Sequence, residues 1–189
     1  MAGLIDGSLA QIARIPAMAV PAIALLVAPV AGQAQTHQPY AGLETRSIKA
    51  LSAEEIADLR VGRGMGLALA AELNGYPGPV HVLELASPLG LSDAQQARVR
   101  QLFEAMKAEA MPLGEQLIAA EAALDRQFAS RSVTQPSLAQ GVQEIAAAQA
   151  ALRAAHLKYH LAMVELLTPE QVARYGELRG YASAPHRHR

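Results

Sequence analysis

The chain has no cysteine and no tryptophan, and only two of its 189 residues are phenylalanine. Without cysteine it forms no disulfide, has no thiol nucleophile and offers no thiolate to a metal. Aromatic residues make up 4% of the chain and hydrophobic residues 51%, so the apolar surface is mainly alanine and leucine. This composition favours helices packed side by side. The net charge of −1 gives no basic excess for nucleic acid.

The sequence also lacks a catalytic constellation and a strand pattern. No plausible nucleophile stands one helical turn from a base, and the carboxylates are scattered over positions expected to face solvent. No segment alternates apolar and polar residues in the way that a half-buried strand does. We therefore predict an all-helical protein that is not an enzyme and has no resident cofactor.

The N-terminal residues predict an export signal. Arg14 precedes an apolar run over residues 15–31, and small residues at Gly32 and Ala34 fit a cleavage site after Ala34. The run is near the length of a membrane span, so an uncleaved anchor is the alternative, although its three prolines disfavour a permanent helix. We expect a periplasmic protein with four parts: a signal over 1–34, an extended lead-in over 35–51, a helical domain over 52–181 and a disordered tail over 182–189.

One five-residue phrase occurs three times: Leu, then Ser or Thr, two free positions, and Gln or Glu. It has the spacing of a capping box, in which the Ser or Thr hydroxyl accepts a bond from a helix-start N–H and the Gln or Glu reaches back. The phrases therefore predict three helix starts. The capping pairs are Ser52 with Glu55, Ser92 with Gln95, and Thr168 with Gln171.

The apolar spacing predicts four main helices and one short one. Leucines recur every 11 residues along the second main helix, and apolar residues recur every seven along the third. These narrow stripes favour a long antiparallel hairpin of the two helices, and such a hairpin buries little surface without a dimer partner. We expect three glycines in the first helix to let another helix approach closely. The predicted main helices are 52–73, 93–130, 136–166 and 168–180, and the short one is 80–86.

The second and third phrases resemble the repeated motif of the LTxxQ proteins, a group that includes the Spy and CpxP periplasmic chaperones and related periplasmic heavy-metal sensors. The resemblance spans about residues 50–181 and implies a cradle-shaped homodimer whose concave face binds unfolded or stressed envelope proteins without ATP. Spy-type cradles are basic, whereas this chain is near neutral. The matching residues are Leu91, Ser92 and Gln95, with Ser in place of Thr, and Leu167, Thr168 and Gln171.

A chaperone site of this kind is a surface rather than a point. Flexible apolar side chains suit promiscuous clients, because they repack against different partners. We therefore take Met106, Leu117 and Phe128 as candidates for the concave side of the hairpin. The alternative is that these residues simply pack the hairpin or the dimer.

A possible metal site lies on the third main helix. The stretch HLKYHLAM places His156, His160 and Met163 within about 60° of one helix side. Histidines at this spacing can share Zn, Ni or Cu, and Met suits Cu(I). In the metal-sensing relatives, His and Met on this helix are ligands, but their His-x-x-x-Met spacing is not matched, because Val164 follows His160. We favour a core position for Met163 and a hydrogen-bonded place for His156.

Three functions therefore remain open from the sequence. The one we predict is an ATP-independent periplasmic chaperone or envelope-stress protein. The alternative is a heavy-metal-sensing module that acts on a membrane signalling partner, such as a sensor kinase or an anti-sigma protein. A third is a purely structural or inhibitory partner of a sensor kinase.

Overall fold

The structure is a computed structural model, and it describes residues 39–181. The predicted signal over 1–34 and tail over 182–189 lie outside the described residues. The described part is all-helical, as predicted, and none of its helices is long and apolar enough to cross a membrane. After a short 3₁₀ turn at Leu43–Thr45, its α-helices are α1 (Ala53–Arg60), α2 (Leu69–Glu72), α3 (Pro79–Glu84), α4 (Asp93–Ala129), α5 (Gln135–Leu166) and α6 (Pro169–Leu178).

Helices α4 and α5 form the long antiparallel hairpin that the apolar spacing predicted. The 37 residues of α4 correspond to a helix about 55 Å long. The chain reverses between Ser130 and Thr134, and Thr134 then caps α5 by bonding the backbone N–H of Ser137. Helix α4 continues through Pro112. The hairpin is the scaffold on which α1, α2, α3 and α6 pack.

All three predicted capping boxes are present. Ser52, Ser92 and Thr168 each accept a bond from the N–H three residues on, and each has its own N–H bonded by the Glu or Gln side chain at that position. These contacts are local, so the spacing of the residues was enough to predict them.

The predicted first helix over 52–73 is wrong in its second half. Helix α1 ends at Arg60, and the short α2 begins only at Leu69. Between them, in residues 61–68, which we call the glycine segment, Gly62, Met65 and Gly66 have φ of 68°, 40° and 81°. A left-handed backbone ends an α-helix, so the conformational freedom of glycine outweighed the apolar spacing here.

Two clusters of buried residues hold the described part together. In the first core, α1 packs against the middle of the hairpin through Leu59, Ala110 and Leu152. In the second core, α3, α6 and the hairpin ends meet around Val82, Met163 and Tyr175, among others. The first core contains the closest approach of backbones, since a Cβ at Gly114 of α4 would lie 2.5 Å from the carbonyl oxygen of Leu59.

Candidate functional site

The two LTxxQ-like phrases meet in space at the end of the hairpin. Gln95 Nε2 donates to Gln171 Oε1 at 2.8 Å, and Gln171 Nε2 donates to Gln95 Oε1 at 3.2 Å. Each amide oxygen also accepts from the backbone N–H of its own cap, Ser92 at 3.1 Å and Thr168 at 3.0 Å. A carboxylate could accept but not donate, so this reciprocal pair requires glutamine on both helices.

The rest of the motif is structural as well. Leu91 and Leu167 are buried in the second core, against α3 and α6. The motif therefore ties the start of α4 to the start of α6 and presents no free side chain to a ligand. The first phrase, with Glu55 in place of glutamine, makes a capping box but has no such partner helix.

One face of the hairpin is uncovered within residues 39–181. On the covered face, Gly62 and Leu59 approach α4 at Ala110 and Gly114. Pro112 and Gln116 stand two positions from those residues, about 200° around the same helix, and therefore face the other way. They line an open groove between α4 and α5 that continues along the hairpin. We call it the alanine groove, because eight lining residues are alanines: Ala119, Ala120, Ala123, Ala147, Ala148, Ala151, Ala154 and Ala155.

The alanine groove has an apolar floor and charged ends. At one end Glu109 pairs with Lys158 and accepts a bond from the hydroxyl of Tyr159 at 3.2 Å. At the other end stands Glu144, which accepts from Gln140 at 2.9 Å. Such a groove can take apolar side chains of varied shape along its length, while polar groups at its ends contact backbone or charged residues.

The three predicted client-binding residues lie elsewhere. Met106 and Leu117 are only 7% and 6% exposed, and Leu117 belongs to the first core. They therefore take the packing role that the sequence had left open as the alternative. Phe128 is 54% exposed, near the end of α4 and outside the alanine groove. The prediction looked for large apolar side chains, whereas the uncovered face is built from small ones.

The two predicted histidines lie side by side on α5 and are buried. His160 Nδ1 lies 2.7 Å from the carbonyl oxygen of Tyr76, so this nitrogen carries a proton and donates it. His156 is 2% exposed, and its Nε2 has no hydrogen-bond partner among the described residues. Burial, and then the charge of His160, lowers the pKa of His156. The structure thus favours a neutral His156 with a free nitrogen.

The position of Met163 does not suit a metal ligand. It is fully buried in the second core, together with Val82 and Val99, as the sequence analysis favoured. The structure brings His156 and His160 together on one helix but keeps Met163 in apolar packing.

A buried carboxylate beside His160 escaped the sequence analysis. Glu72 of α2 is 8% exposed and accepts bonds from the hydroxyls of Tyr175 and Tyr181 and, at 3.1 Å, from the backbone N–H of Gly78. His160 Nδ1 lies 3.8 Å from the same carboxylate. Burial, and next the bond to Glu72, raises the pKa of Tyr175. The available signal was a lone Glu within the apolar stretch "LALAAEL".

A complete metal site is not formed by residues 39–181, in which no group of three or more His, Asp or Glu side chains is arranged to hold an ion. The free Nε2 of His156 fits a metal, because a buried polar atom without a partner is costly. Nδ1 of His160 is already bonded to Tyr76, which leaves its Nε2 as the donor for an ion. Any site here needs further donors from outside the described residues or from another molecule.

Comparison with known proteins gives one match. A family model described as heavy-metal resistance matches residues 65–174, more than half of the chain. The match begins in the glycine segment and ends in α6, so it includes the hairpin, both buried histidines and both paired glutamines. No curated protein and no solved structure matches.

Proposed function

Because the chain belongs to the heavy-metal resistance family, which is related to the Spy and CpxP group of LTxxQ proteins, we propose that it is a periplasmic binding protein for unfolded polypeptides. The family is non-catalytic, in agreement with the prediction that the chain is not an enzyme. The observation that carries the proposal is the uncovered alanine groove along the α4–α5 hairpin. Clients bind there without ATP.

The dimensions of the groove suit an extended segment of polypeptide. The apolar part of the groove follows α4 from Pro112 to Ala123, which are 11 positions apart and therefore about 17 Å apart at ~1.5 Å per residue. An extended chain rises about 3.3 Å per residue, so about five client residues fit along this length. Alanine side chains are too short to form deep, shape-selective pockets. The groove therefore selects for apolar character rather than for one sequence.

The same shallowness explains how a client leaves without nucleotide hydrolysis. Binding buries a modest apolar area on small, rigid side chains, and it must offset the entropy lost by the client. We expect micromolar or weaker affinity for any one segment, with rapid exchange. Such binding delays aggregation and still lets the client fold when it dissociates.

An aggregation assay with two matched variants tests this proposal. Ala151, which lies at the centre of the groove, and Ala150, which is exposed outside it, are neighbours on α5. Ala151→Glu should weaken protection of a denatured client followed by light scattering, because it places a charge on the apolar floor. Ala150→Glu should protect like the parent protein, and a metal chelator should change nothing. Equal protection by both variants, or loss on chelation, would overturn the proposal.

A second function, a metal-responsive module, is favoured by one observation, the partnerless Nε2 of His156. His156 and His160 would supply imidazole donors to Zn, Ni or Cu, and the ion would satisfy the free nitrogen. The remaining donors would come from outside residues 39–181 or from a second chain. A sensor kinase or anti-sigma partner for such a module remains part of this proposal.

Titration calorimetry with each of the three ions tests the second function. His156→Gln should abolish binding, because it removes the free imidazole nitrogen. His81→Gln is the control, since His81 lies on α3 and pairs with Glu84. If the parent protein binds none of the ions, or if both variants bind like the parent, the metal-responsive module is excluded.

A further inference from the structure

The glycine segment covers His156. A Cβ placed on Gly64 would lie 3.6 Å from His156 Nδ1 and 3.7 Å from its Cε1, so the backbone at Gly64 rests against the imidazole ring. No side chain at Gly64 intervenes, and Gly64 contributes to the burial of the ring, which is 2% exposed. Access to the Nδ1 edge of the His156 ring therefore depends on the position of this segment.

The glycine segment is held at its two ends. A Cβ at Gly62 would lie 3.3 Å from Met111 Cγ and 3.4 Å from Ala110 Cβ, Arg63 pairs with Asp58 at 3.0 Å, and Leu67 packs against the first core. Within the segment, the N–H of Leu67 donates to the carbonyl of Gly64 at 2.7 Å. Met65 has a left-handed backbone, which a non-glycine residue adopts at a cost, and its side chain is exposed.

We propose that residues 61–68 are a lid, which opens about Gly62 when Leu67 leaves the first core and which exposes the Nδ1 edge of the His156 ring to solutes. Glycine allows the large φ changes that a hinge needs, and the side chain of Leu67 holds the far end of the segment on the first core. Local opening of a segment with so few buried contacts costs less than unfolding of the hairpin. The lid covers the histidine that is also the candidate metal ligand. The lid proposal does not depend on whether a metal binds.

Chemical modification of histidine by diethyl pyrocarbonate tests the lid without any metal. The reagent acylates accessible neutral imidazoles, and mass spectrometry reports each histidine separately. His160 is the internal reference, because a different element, the turn at Tyr76 and Gly78, covers it. Global unfolding exposes both histidines, whereas lid opening exposes only His156.

Two leucine variants make the test specific. Leu67→Ala removes the packed anchor of the lid, and Leu69→Ala makes the same chemical change at an exposed position two residues on. We expect Leu67→Ala to raise the modification rate of His156 roughly tenfold, as the loss of a partly buried leucine contact implies, and to leave that of His160 unchanged. In the Leu69→Ala variant, His156 and His160 should both be modified at the rates measured in the parent protein. The lid is refuted if Leu67→Ala leaves His156 unchanged or accelerates both histidines equally.

Hydrogen exchange on the parent protein gives a second measurement that depends on no substitution. The amides of residues 62–68 should exchange faster than those of α4 and α5, at a rate set by local opening. If they exchange only as fast as the hairpin amides, the segment opens only when the protein unfolds, and the lid is refuted.

Discussion

At the residue scale, His156 is the most unusual position in the described chain. A buried imidazole without a hydrogen-bond partner costs free energy, and the neutral form costs far less than the charged one. Folding therefore favours the neutral form of His156. Burial is the main cause of the lowered pKa of this histidine. The sequence predicted a hydrogen-bonded place for this histidine. It could not show that Nε2 has no partner, because the neighbours of a buried ring are set by tertiary packing.

The lowered pKa of His156 predicts how stability depends on pH. As pH falls below about 6.5, the unfolded chain protonates this histidine first, so the free energy of unfolding decreases until the lower folded pKa is reached. Urea denaturation at about pH 7.5 and 5.5 should therefore show that the free energy of unfolding falls less between these pH values in His156→Gln than in the parent. An equal loss in the parent and in His156→Gln would contradict the assigned environment.

Two glycine-to-alanine changes test the closest backbone approach. A Cβ at Gly114 would lie 2.5 Å from the backbone oxygen of Leu59, whereas one at Gly176 in α6 meets nothing within 4 Å. Gly114→Ala should destabilise the protein by about 1–3 kcal/mol, because α1 must shift. Gly176→Ala should stabilise it by about 0.5–1 kcal/mol through helix propensity. Chemical denaturation measures both changes in stability. A Gly114→Ala variant as stable as the parent would show that α1 does not pack on α4 at Gly114.

At the element scale, local signals predicted most of the helices. The capping boxes at Ser92 and Thr168 and the repeating apolar stripes fixed the hairpin and α6, because both signals arise within one element. The break after Arg60 was missed, since glycine in a helix is tolerated at a cost and the spacing did not show that Gly62 adopts a left-handed backbone. The cap of α5, Thr134 with Ser137, lacks the usual Gln or Glu and so gave no signal.

The pairing of two capping boxes could not be predicted from either one, and it has a measurable energy. Gln95→Ala and Gln171→Ala each break the same reciprocal amide pair, so their destabilisations should fall short of additivity by about 1 kcal/mol in a double-mutant cycle. The control cycle combines Gln171→Ala with Glu55→Ala, which caps α1 and shares no contact with α6. Denaturation midpoints give both cycles. Full additivity in the first cycle would mean that the two phrases are independent caps.

At the scale of the whole molecule, the sequence predicted the architecture better than the site. The alanines of the groove look in the sequence like ordinary helix formers, and only the three-dimensional placement of the elements within residues 39–181 shows that none of these elements covers their face. Glu72 and the free nitrogen of His156 are likewise products of tertiary packing. Most of the large apolar side chains that the sequence pattern suggested for client binding are buried in the core.

We propose that the protein associates as a homodimer. Several large apolar side chains on the described surface are exposed, among them Val61, Leu69, Leu73 and Leu161, and association would bury such surface. Sedimentation velocity over a range of concentrations should show a species of two chains that dissociates on dilution. A single species of one chain at every concentration would contradict the dimer.

The central claim, that the uncovered face of the hairpin binds polypeptide, is tested most directly by site-specific cross-linking. A photoreactive phenylalanine analogue replaces Ala151 in one sample and Ala150 in another, and each is irradiated with a denatured client. Client should cross-link strongly at 151, inside the groove, and weakly at 150, outside it. Equal cross-linking at the two positions, or none at 151, would contradict the claim.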